Sequence, residues 1–331
     1  MTKKTSFTVA LSPEQQENLV RLLKSGNYRP FDVQHATLAV EGDQCNVVLY
    51  KSGKCVVQGR DAQDWVTFVL EPQILQQARL GYEDVLDPES VRPHMGIDES
   101  GKGDFFGPLV IAAAYVDESL VPVLREMNVR DSKTITSDRK AEEMARDIRK
   151  VLGERFTIVS IGPRAYNRLY ASLRNVNRIL AWGHARSIEN LLEKVPACPR
   201  AVADQFGPTR QIEQALMKKG RQIKLQQRHK AESDIAVAAA SILARGGFLA
   251  GLRQIQQKTG IAIPKGASDK VREAAAKLIE KEGPQSLLDY VKCHFKTTDA
   301  VLEQAHLNRS ALGAEGAAMS KTIDRGDHEA G

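Results

Sequence analysis

Residues 94–110 read HMGIDESGKGDFFGPLV, and this stretch decides how the rest of the chain is interpreted. An apolar run, typical of a buried strand, leads into the adjacent carboxylates Asp98 and Glu99. Adjacent strand residues point to opposite faces, so both carboxylates can reach one ion only where the strand ends. Gly101 and Gly103 follow, and the absence of their Cβ atoms lets the backbone approach a sugar-phosphate chain closely.

Two further segments carry carboxylates at the ends of predicted elements. The strand RAVAD delivers Asp204 to a turn, and in an open α/β sheet the carboxyl ends of neighbouring strands form the crevice where ligands bind. Glu232 and Asp234 flank the start of an alanine-rich helix, where acids are also favoured simply because they cap free N–H groups. Carboxylates gathered from three segments would repel one another unless cations neutralised them.

The chemistry of these side chains indicates the type of cation. Oxygen ligands in this number suit Mg²⁺ or Mn²⁺ better than zinc, which prefers histidine and cysteine. Two such ions about 4 Å apart form an arrangement that hydrolyses phosphodiesters. The sequence therefore favours a nuclease-type metal site, although an acidic pair at a strand end is also typical of a solvated edge.

Length and composition set the class of protein. The chain has 331 residues, enough for two domains with tails, and a formal net charge of +6 that biases it toward polyanions. Its four cysteines show no CxxC pairing and are interpreted as thiols without a metal or disulfide role. No apolar run approaches the roughly 20 residues of a membrane span, and no signal peptide is evident. We therefore expect a cytoplasmic protein, and the lack of a coiled-coil pattern favours a monomer.

Changes in hydrophobic periodicity divide the chain into four parts. Residues 1–72 read as a strand, a capped helix, a small meander and a second helix, which make an α+β unit. Residues 73–93 lose periodicity and are predicted to be a linker. Residues 94–307 alternate longer strands and helices, which indicates an α/β domain with its sheet covered on both faces. Residues 308–331 are small, polar and aperiodic, and are predicted to be disordered.

Four motifs occur in one order and together resemble the type 2 ribonucleases H. They are GIDESGKGDFFGPLV, DSK at 131–133, VADQFG and HKAESDIAVAAASILAR. The GKG loop, in place of the GRG usual in ribonuclease HII, and the separate N-terminal unit make the chain similar to the bacterial ribonucleases HIII in particular. The segment IPKGASDKVREAAAKLIEKEGPQSLLDYVKCHFKTT is similar to the C-terminal part of that family.

The resemblance implies a fold and an activity. The fold is a ribonuclease H-like mixed sheet flanked by helices, preceded by a small α+β domain that resembles the TATA-binding-protein fold. The activity is endonucleolytic hydrolysis of the RNA strand of RNA–DNA hybrids with Mg²⁺ or Mn²⁺, leaving 5′-phosphate and 3′-hydroxyl ends. Two alternatives stay open: incision at single ribonucleotides in DNA, as by ribonuclease HII, and a hybrid-binding module without catalysis.

The family motifs also imply which carboxylates bind the metal. Carried over by motif, Asp98, Glu99 and Asp204 are catalytic metal ligands. The fourth ligand is Glu232, or else Asp234, because the spacing from the KAES segment to the small-residue helix leaves both in contention.

The loop motifs imply contacts with substrate. In the family the backbone of the loop Gly101, Lys102 and Gly103 reads the ribose 2′-hydroxyl, the group that distinguishes RNA from DNA. The resemblance implies that Lys133 of the DSK motif supports the active site or meets a phosphate, and a surface lysine in a turn is the alternative. Asp104 matches no ligand position and is predicted to be a loop or capping residue.

The N-terminal unit is expected to grip the hybrid through its sheet. Lys51, Lys54 and Arg60 lie on or near the predicted hairpin and are candidates for phosphate contacts. Trp65 and Phe68 are spaced i and i+3 on the second helix, which favours core packing over base stacking.

Overall fold

The structure is a computed structural model. It describes residues 5–42, 44–76, 91–129, 132, 135–204, 212, 214–215, 220, 223–228 and 231–317, except for the side chains of Arg228, Glu232 and Ala317. The chain divides into two compact units, Met1–Glu89 and Ser90–Gly331.

The first unit is built on an antiparallel sheet of five strands in the order β1-β5-β4-β3-β2. These are β1 Ser6–Ala10, β2 Arg29–Pro30, β3 Ala36–Glu41, β4 Cys45–Tyr50 and β5 Lys54–Gly59. Helix α1, Pro13–Ser25, is the predicted capped helix, and its cap is a capping box. The Gln15 backbone N–H donates to the Ser12 hydroxyl at 3.3 Å, and the Ser12 N–H donates to the Gln15 side chain at 3.0 Å. The cap fixes where α1 starts as it packs on one face of the sheet.

The second helix of this unit changes type along its length. Helix α2, Ala62–Trp65, continues as a π-helix over Val66–Leu75. Buried positions in the π-helix therefore recur every four or five residues, at Val66, Leu70, Glu71, Ile74 and Leu75. Phe68 is 71% exposed, so the prediction that it packs in the core is wrong.

The π-helix also moves the start of the predicted linker. Ile74 and Leu75 belong to the apolar core of the first unit. The prediction that a linker begins at residue 73 is therefore wrong for residues 73–75, since they continue the π-helix and that core needs the side chains of Ile74 and Leu75. Most of the rest of the predicted linker, residues 77–90, lies outside the described part of the chain.

The second unit contains a mixed sheet of five strands in the order β10-β9-β6-β7-β8, which confirms the predicted fold class. These are β6 His94–Ser100, β7 Leu109–Val116, β8 Phe156–Ile161, β9 Arg200–Asp204 and β10 Lys224–Arg228. Strands β6, β9 and β10 run parallel, while β7 and β8 are antiparallel to their neighbours.

Helices cover both faces of this sheet. In the described residues they are α3 Leu120–Glu126, α4 Asp138–Leu152, α5 Pro163–Leu173, α6 Val176–Lys194, α7 Ile235–Thr259, α8 Asp269–Glu282, α9 Leu287–Tyr290, α10 Lys296–Gln304 and α11 Gly313–Ala317. One apolar core joins the sheet to α4, α7 and α8, and another joins it to α5 and α6. The side chains of β7 alternate between the two cores, as expected for a strand covered on both faces.

Helix α7 approaches the sheet very closely at one point. A Cβ atom on Gly96 of β6 would lie 2.1 Å from the backbone nitrogen of Val237, so only glycine fits there. Within the described residues α7 is long and apolar enough to span a membrane, but 72% of its most apolar window is buried in this unit. Its composition is therefore that of a core helix, whose first turn is held against β6.

The tail is ordered further than predicted. A 3₁₀ turn covers Arg309–Leu312, and α11 follows it. Leu312 is 1% exposed, and Arg309 donates to both carboxylate oxygens of Asp299 at 2.6 and 2.9 Å. The prediction of disorder is therefore wrong for residues 308–317, because one apolar anchor and one ion pair fix a segment that has no periodicity. Residues 318–331 lie outside the described part of the chain.

Candidate active site

The predicted carboxylates meet at one edge of the second sheet. Strands β6 and β9 are parallel neighbours with Ile97 opposite Ala203, so Asp98 and Asp204 follow at the same level. A cavity of about 470 Å³ opens at this edge. Its lining residues are Asp98, Glu99, Ser100, Gly101, Lys102, Gly103, Ser132, Asp204, Ser241 and Arg245. The structure thus brings together three predicted carboxylates and the glycine loop.

Asp98 and Glu99 reach this cavity from opposite faces of the sheet. Both are still within β6, paired with Ala112 and Ile111 of β7. Asp98 lies on the face of α7, while Glu99 lies on the face of α6, where its Oε2 is 3.0 Å from His184 Nε2. The sequence interpretation expected the strand to end here and both carboxylates to turn to one side. Strand pairing continues to Ser100, and therefore keeps the two carboxylates apart.

Asp98 has a raised pKa. The pKa is about 6, raised first by burial and then by the charge of Glu99. Hydrogen bonds from the Ser241 hydroxyl and from the Glu99 N–H, at 2.8 Å, oppose this rise. A cation beside Asp98 would favour the ionised form, because it offsets both causes of the raised pKa.

Glu99 has basic side chains beside both of its carboxylate oxygens. His184 is 1% exposed and holds one carboxylate oxygen, while Lys102 Nζ lies 3.8 Å from the other. A buried histidine that orients a carboxylate is the arrangement expected of a group that supports a metal ligand from behind. Sequence reasoning missed His184, because it lies inside an apolar helix and carries no motif.

The donor chemistry of the cavity fits a hard divalent cation. In the described part of the chain no three His, Cys, Asp or Glu side chains surround one point closely enough to form a finished metal site. The cavity nevertheless presents carboxylates and hydroxyls, and its lining contains neither cysteine nor histidine. Oxygen donors of this kind suit Mg²⁺ or Mn²⁺.

Asp234, the alternative fourth ligand, has a structural role at the start of α7. Its Oδ1 caps α7 by accepting from the N–H groups of Ala236 and Val237 at 2.9 and 3.2 Å. His94 Nε2 lies 2.9 Å from the same carboxylate, which is 8% exposed and does not line the cavity. Burial raises the pKa of Asp234, but the hydrogen bond and charge of His94, together with the backbone hydrogen bonds from Val237 and Ala236, lower it overall. The carboxylate therefore holds the helix start, and the choice between Asp234 and Glu232 stays a prediction.

Glu232 lies in the 3₁₀ turn Ala231–Ser233, directly before α7. Its side chain is outside the described part of the chain, as is the whole of Lys133. Both residues therefore stay predictions.

The glycine loop has the shape that close backbone approach requires. Gly101 has φ +87°, and a Cβ atom there would lie 2.3 Å from the carbonyl oxygen of Pro108, so no other residue fits. Gly103 has no atom within 4 Å of the position of a Cβ, which leaves its backbone open on the side of the cavity. Asp104 anchors the end of the loop by accepting from the N–H of Gly266 at 2.6 Å, in agreement with its predicted loop role.

A second set of lining residues was not predicted from the sequence. Ser132 Oγ lies 2.7 Å from Ser241 Oγ, which in turn contacts Asp98. Arg245 Nη1 donates to the carbonyl oxygens of Ser132 and Ile135 at 2.5 and 2.8 Å. The polar positions Ser241 and Arg245 are four residues apart in an otherwise small and apolar helix, and this spacing was the available signal.

Comparison with known proteins gives consistent family matches. The sequence model of the family described as Ribonuclease HII matches residues 95–298. Ribonuclease HIII of Protochlamydia amoebophila is 38% identical over 302 residues, which cover 91% of this chain and 98% of that protein. Ribonuclease HIII of Chlamydia pneumoniae is 37% identical over 297 residues, covering 89% of this chain and 97% of that protein.

A solved structure agrees with these sequence matches. The crystal structure of Bst-RNase HIII in complex with Mn²⁺ aligns with a TM-score of 0.64 and 27% sequence identity. The alignment covers 91% of this chain and 99% of that one. The likeness therefore extends over both compact units.

Proposed function

This chain belongs to the ribonuclease HII family and, within it, to the ribonucleases HIII, and from this premise we propose that its carboxylate cavity hydrolyses the RNA strand of RNA–DNA hybrids. It is a metal-dependent ribonuclease H that uses Mg²⁺ or Mn²⁺. One observation carries the proposal: Asp98, Glu99 and Asp204 line the same cavity as the glycine loop. Clustered carboxylates facing phosphates would weaken a protein that only bound nucleic acid.

The carboxylates hold the cations in this proposal. Asp98, Glu99 and Asp204 are three ligands, and Glu232, at the turn before α7, is the fourth, with Asp234 as the alternative. When bound, two such cations lower the pKa of the attacking water and stabilise the leaving 3′ oxygen. The products carry 5′-phosphate and 3′-hydroxyl ends.

Neighbouring side chains orient these ligands. The Ser241 hydroxyl and the Glu99 N–H fix Asp98, and His184 fixes Glu99. A ligand held in one orientation before the metal arrives loses less entropy on binding it. The hydrogen-bonded carboxylates are therefore prepared for the cation even though they face opposite sides of β6.

The glycine loop supplies selectivity for RNA. The backbone around Gly101 and Gly103 is open to the cavity and contacts the ribose 2′-hydroxyl, which DNA lacks. Lys102, whose side chain is 41% exposed, meets a phosphate, and Lys133 contributes similarly from the DSK motif.

The N-terminal unit, residues 1–72 of the predicted division, binds the hybrid and raises affinity. Lys51, Lys54 and Arg60 are all exposed, as phosphate contacts must be. The proposal is of a monomeric cytoplasmic enzyme without an obligatory protein partner. Burial of α7 inside its own unit supports a soluble protein.

Cleavage mapping tests the proposal. The full chain is offered a uniform RNA–DNA hybrid and a DNA duplex with one embedded ribonucleotide, with Mg²⁺ and Mn²⁺ in turn and with EDTA as control. Cuts at many positions in the uniform hybrid, removed by EDTA, are expected. Strong incision of the single-ribonucleotide duplex would instead indicate specificity like that of ribonuclease HII, and binding without any metal-dependent cleavage would indicate an inactive module.

A further inference from the structure

Lys292 is a buried lysine whose ammonium group lies under the turn that follows the glycine loop. Its side chain is fully buried, in a segment that contains none of the predicted ligands. Nζ donates to the carbonyl oxygens of Asp104 at 2.8 Å, Gly107 at 2.7 Å and Phe106 at 3.3 Å. A lysine ammonium has three N–H donors, so this one turn can use all of them.

The converging carbonyls depend on the cation. Three carbonyl dipoles that point at one site repel one another unless a positive group occupies it. Burial lowers the pKa of Lys292 to about 7, and the carboxylate of Asp104 acts in the opposite direction. The Lys292 ammonium is therefore costly to bury, and its hydrogen bonds hold the shape of this turn.

Backbone contacts hold the same turn on its other side. The Lys292 N–H donates to the Phe105 carbonyl at 2.8 Å, and the Gly107 N–H donates to the Tyr290 carbonyl at 3.0 Å. Phe106 also forms a β-bridge with Val291. Residues 290–292 thus clamp the turn, and the ammonium fills its centre.

The turn at Asp104–Gly107 also supports the glycine loop. The Pro108 carbonyl oxygen directly follows the turn, and it lies so close to Gly101 that no Cβ fits between them. The Asp104 N–H faces the Gly101 carbonyl at 3.4 Å. A shift of the turn therefore moves the backbone that faces the cavity at Gly103.

We propose that Lys292 is a positioning residue for ribose recognition: its ammonium group fixes the turn at Asp104–Gly107, and the turn holds the Gly101–Gly103 backbone where it reads the 2′-hydroxyl. This inference rests on the proposed function. It adds a residue about 190 positions away in sequence, which neither contacts substrate nor binds metal, to the determinants of RNA selectivity.

The test compares two lysine variants in a background that cannot cleave. Asp98→Asn is combined with Lys292→Met, which keeps the length and apolar stem of the side chain but removes all three donors. The matched control is Lys281→Met, because Lys281 Nζ also donates to a backbone carbonyl, that of Thr259 at 2.6 Å, without contacting the loop. Affinity is measured for an RNA–DNA hybrid and for the same hybrid with 2′-fluoro ribose, which cannot donate a hydrogen bond.

The ratio of the two affinities should fall about tenfold with Lys292→Met, since misplacement of a recognition group by 1 Å costs up to about a hundredfold. Lys281→Met should leave this ratio unchanged. An unchanged ratio with Lys292→Met overturns the inference, as does a parent that shows no preference for the 2′-hydroxyl. If Lys292→Met does not fold, as judged by circular dichroism, Lys292→Gln replaces it, since it keeps a shorter neutral donor. Lys292→Gln is expected to lower the affinity ratio, and an unchanged ratio would overturn the inference.

Failure of the proposed function is recognised separately. The chain without substitutions must cleave the uniform hybrid in a metal-dependent way, and absence of that cleavage removes the proposed function itself. Cleavage together with an unchanged affinity ratio removes only the role of Lys292.

Discussion

The two sheets of this protein have five strands each, but they place polar groups in different ways. The N-terminal sheet is covered on one face by α1, α2 and the π-helix, and its other face carries exposed polar side chains. Ser6, Gln58, Asn46 and Glu41 form one cross-strand row on that face. The catalytic sheet is covered on both faces, so its polar groups can be reached only where strands end.

Under the proposed function, this difference separates hybrid binding from the chemical step. Side chains on the open face lie in water, where charges are screened and each contact contributes little. Side chains at the strand ends lie in a partly desolvated cavity, where burial has already raised the pKa of Asp98 to about 6. We therefore expect substitutions at the strand ends to change the rate strongly, and substitutions on the open face to change affinity weakly.

Asp98→Asn should have the largest effect. The substitution keeps the size of the side chain but removes a charge worth several kcal/mol in holding the cations, so the cleavage rate should fall about a thousandfold. Hybrid affinity should change little, because the glycine loop, Lys102 and the N-terminal unit can still contact the hybrid. Single-turnover cleavage and equilibrium binding measure both quantities.

The matched control for Asp98 is Asp147→Asn, since Asp147 is an exposed carboxylate on α4 that pairs with Lys150 at 3.0 Å. Its cleavage rate should match that of the unsubstituted chain. If Asp98→Asn still cleaves the hybrid, the contrast between the two sheets fails, because the side chain at the end of β6 would then not take part in catalysis.

Glu232→Gln and Asp234→Asn separate a ligand from a cap. Glu232→Gln should lower cleavage nearly as strongly as Asp98→Asn. Asp234→Asn should leave most of the activity but lower the free energy of unfolding at pH 7 by about 2 kcal/mol, since it weakens hydrogen bonds to a charged group. The reverse pattern of activities would make Asp234 the ligand.

The pH dependence of Asp234→Asn gives an independent check of the cap. The pKa of Asp234 is lowered in the folded protein, so its stabilisation is present above 3.8, the ordinary value, and is lost as pH falls through the lowered pKa. The stability difference between the unsubstituted chain and the variant should therefore shrink in acid. Urea unfolding at pH 7 and near pH 3 measures it, and a difference independent of pH would contradict the assignment.

His184→Ala should have an intermediate effect, on metal affinity above all. Groups that support metal ligands typically contribute 10–100-fold to affinity, so the concentration of Mn²⁺ that gives half-maximal cleavage should rise by about that factor. Saturating metal should restore most of the rate. His184→Gln keeps a side-chain donor and should behave more mildly, while equal losses at saturating metal for both variants would indicate a merely structural histidine.

The sequence predicted the elements whose signals are local or periodic. The capping box of α1, the mixed sheet and the meeting of Asp98 with Asp204 all follow from short patterns and from the rule that parallel strand ends meet. The small residues of α7 are evident in the sequence, but its close approach to Gly96 is identified only by the structure.

The errors concern features that depend on tertiary contacts. Phe68 was misplaced because an α-helical period was assumed where the helix is of π type. Residues 308–317 have no hydrophobic periodicity. They are ordered because Leu312 is buried and because Arg309 pairs with Asp299, ten residues earlier in the chain. His184 and Lys292 carry no local signal, since an isolated polar residue in an apolar segment gains its role only from what the fold places beside it.

Lys54→Ala on the open sheet should have the smallest effect. Lys54 shares that face with Gln58, and losing one phosphate contact should weaken hybrid binding a few-fold and lower the salt slope of log affinity by about 1. Its cleavage rate with saturating substrate should not change. Lys24→Ala removes the same charge from α1, on the covered side of the sheet, and should leave the salt slope unaltered. Equal slopes for the two variants would mean that net charge, and not the open face, attracts the hybrid.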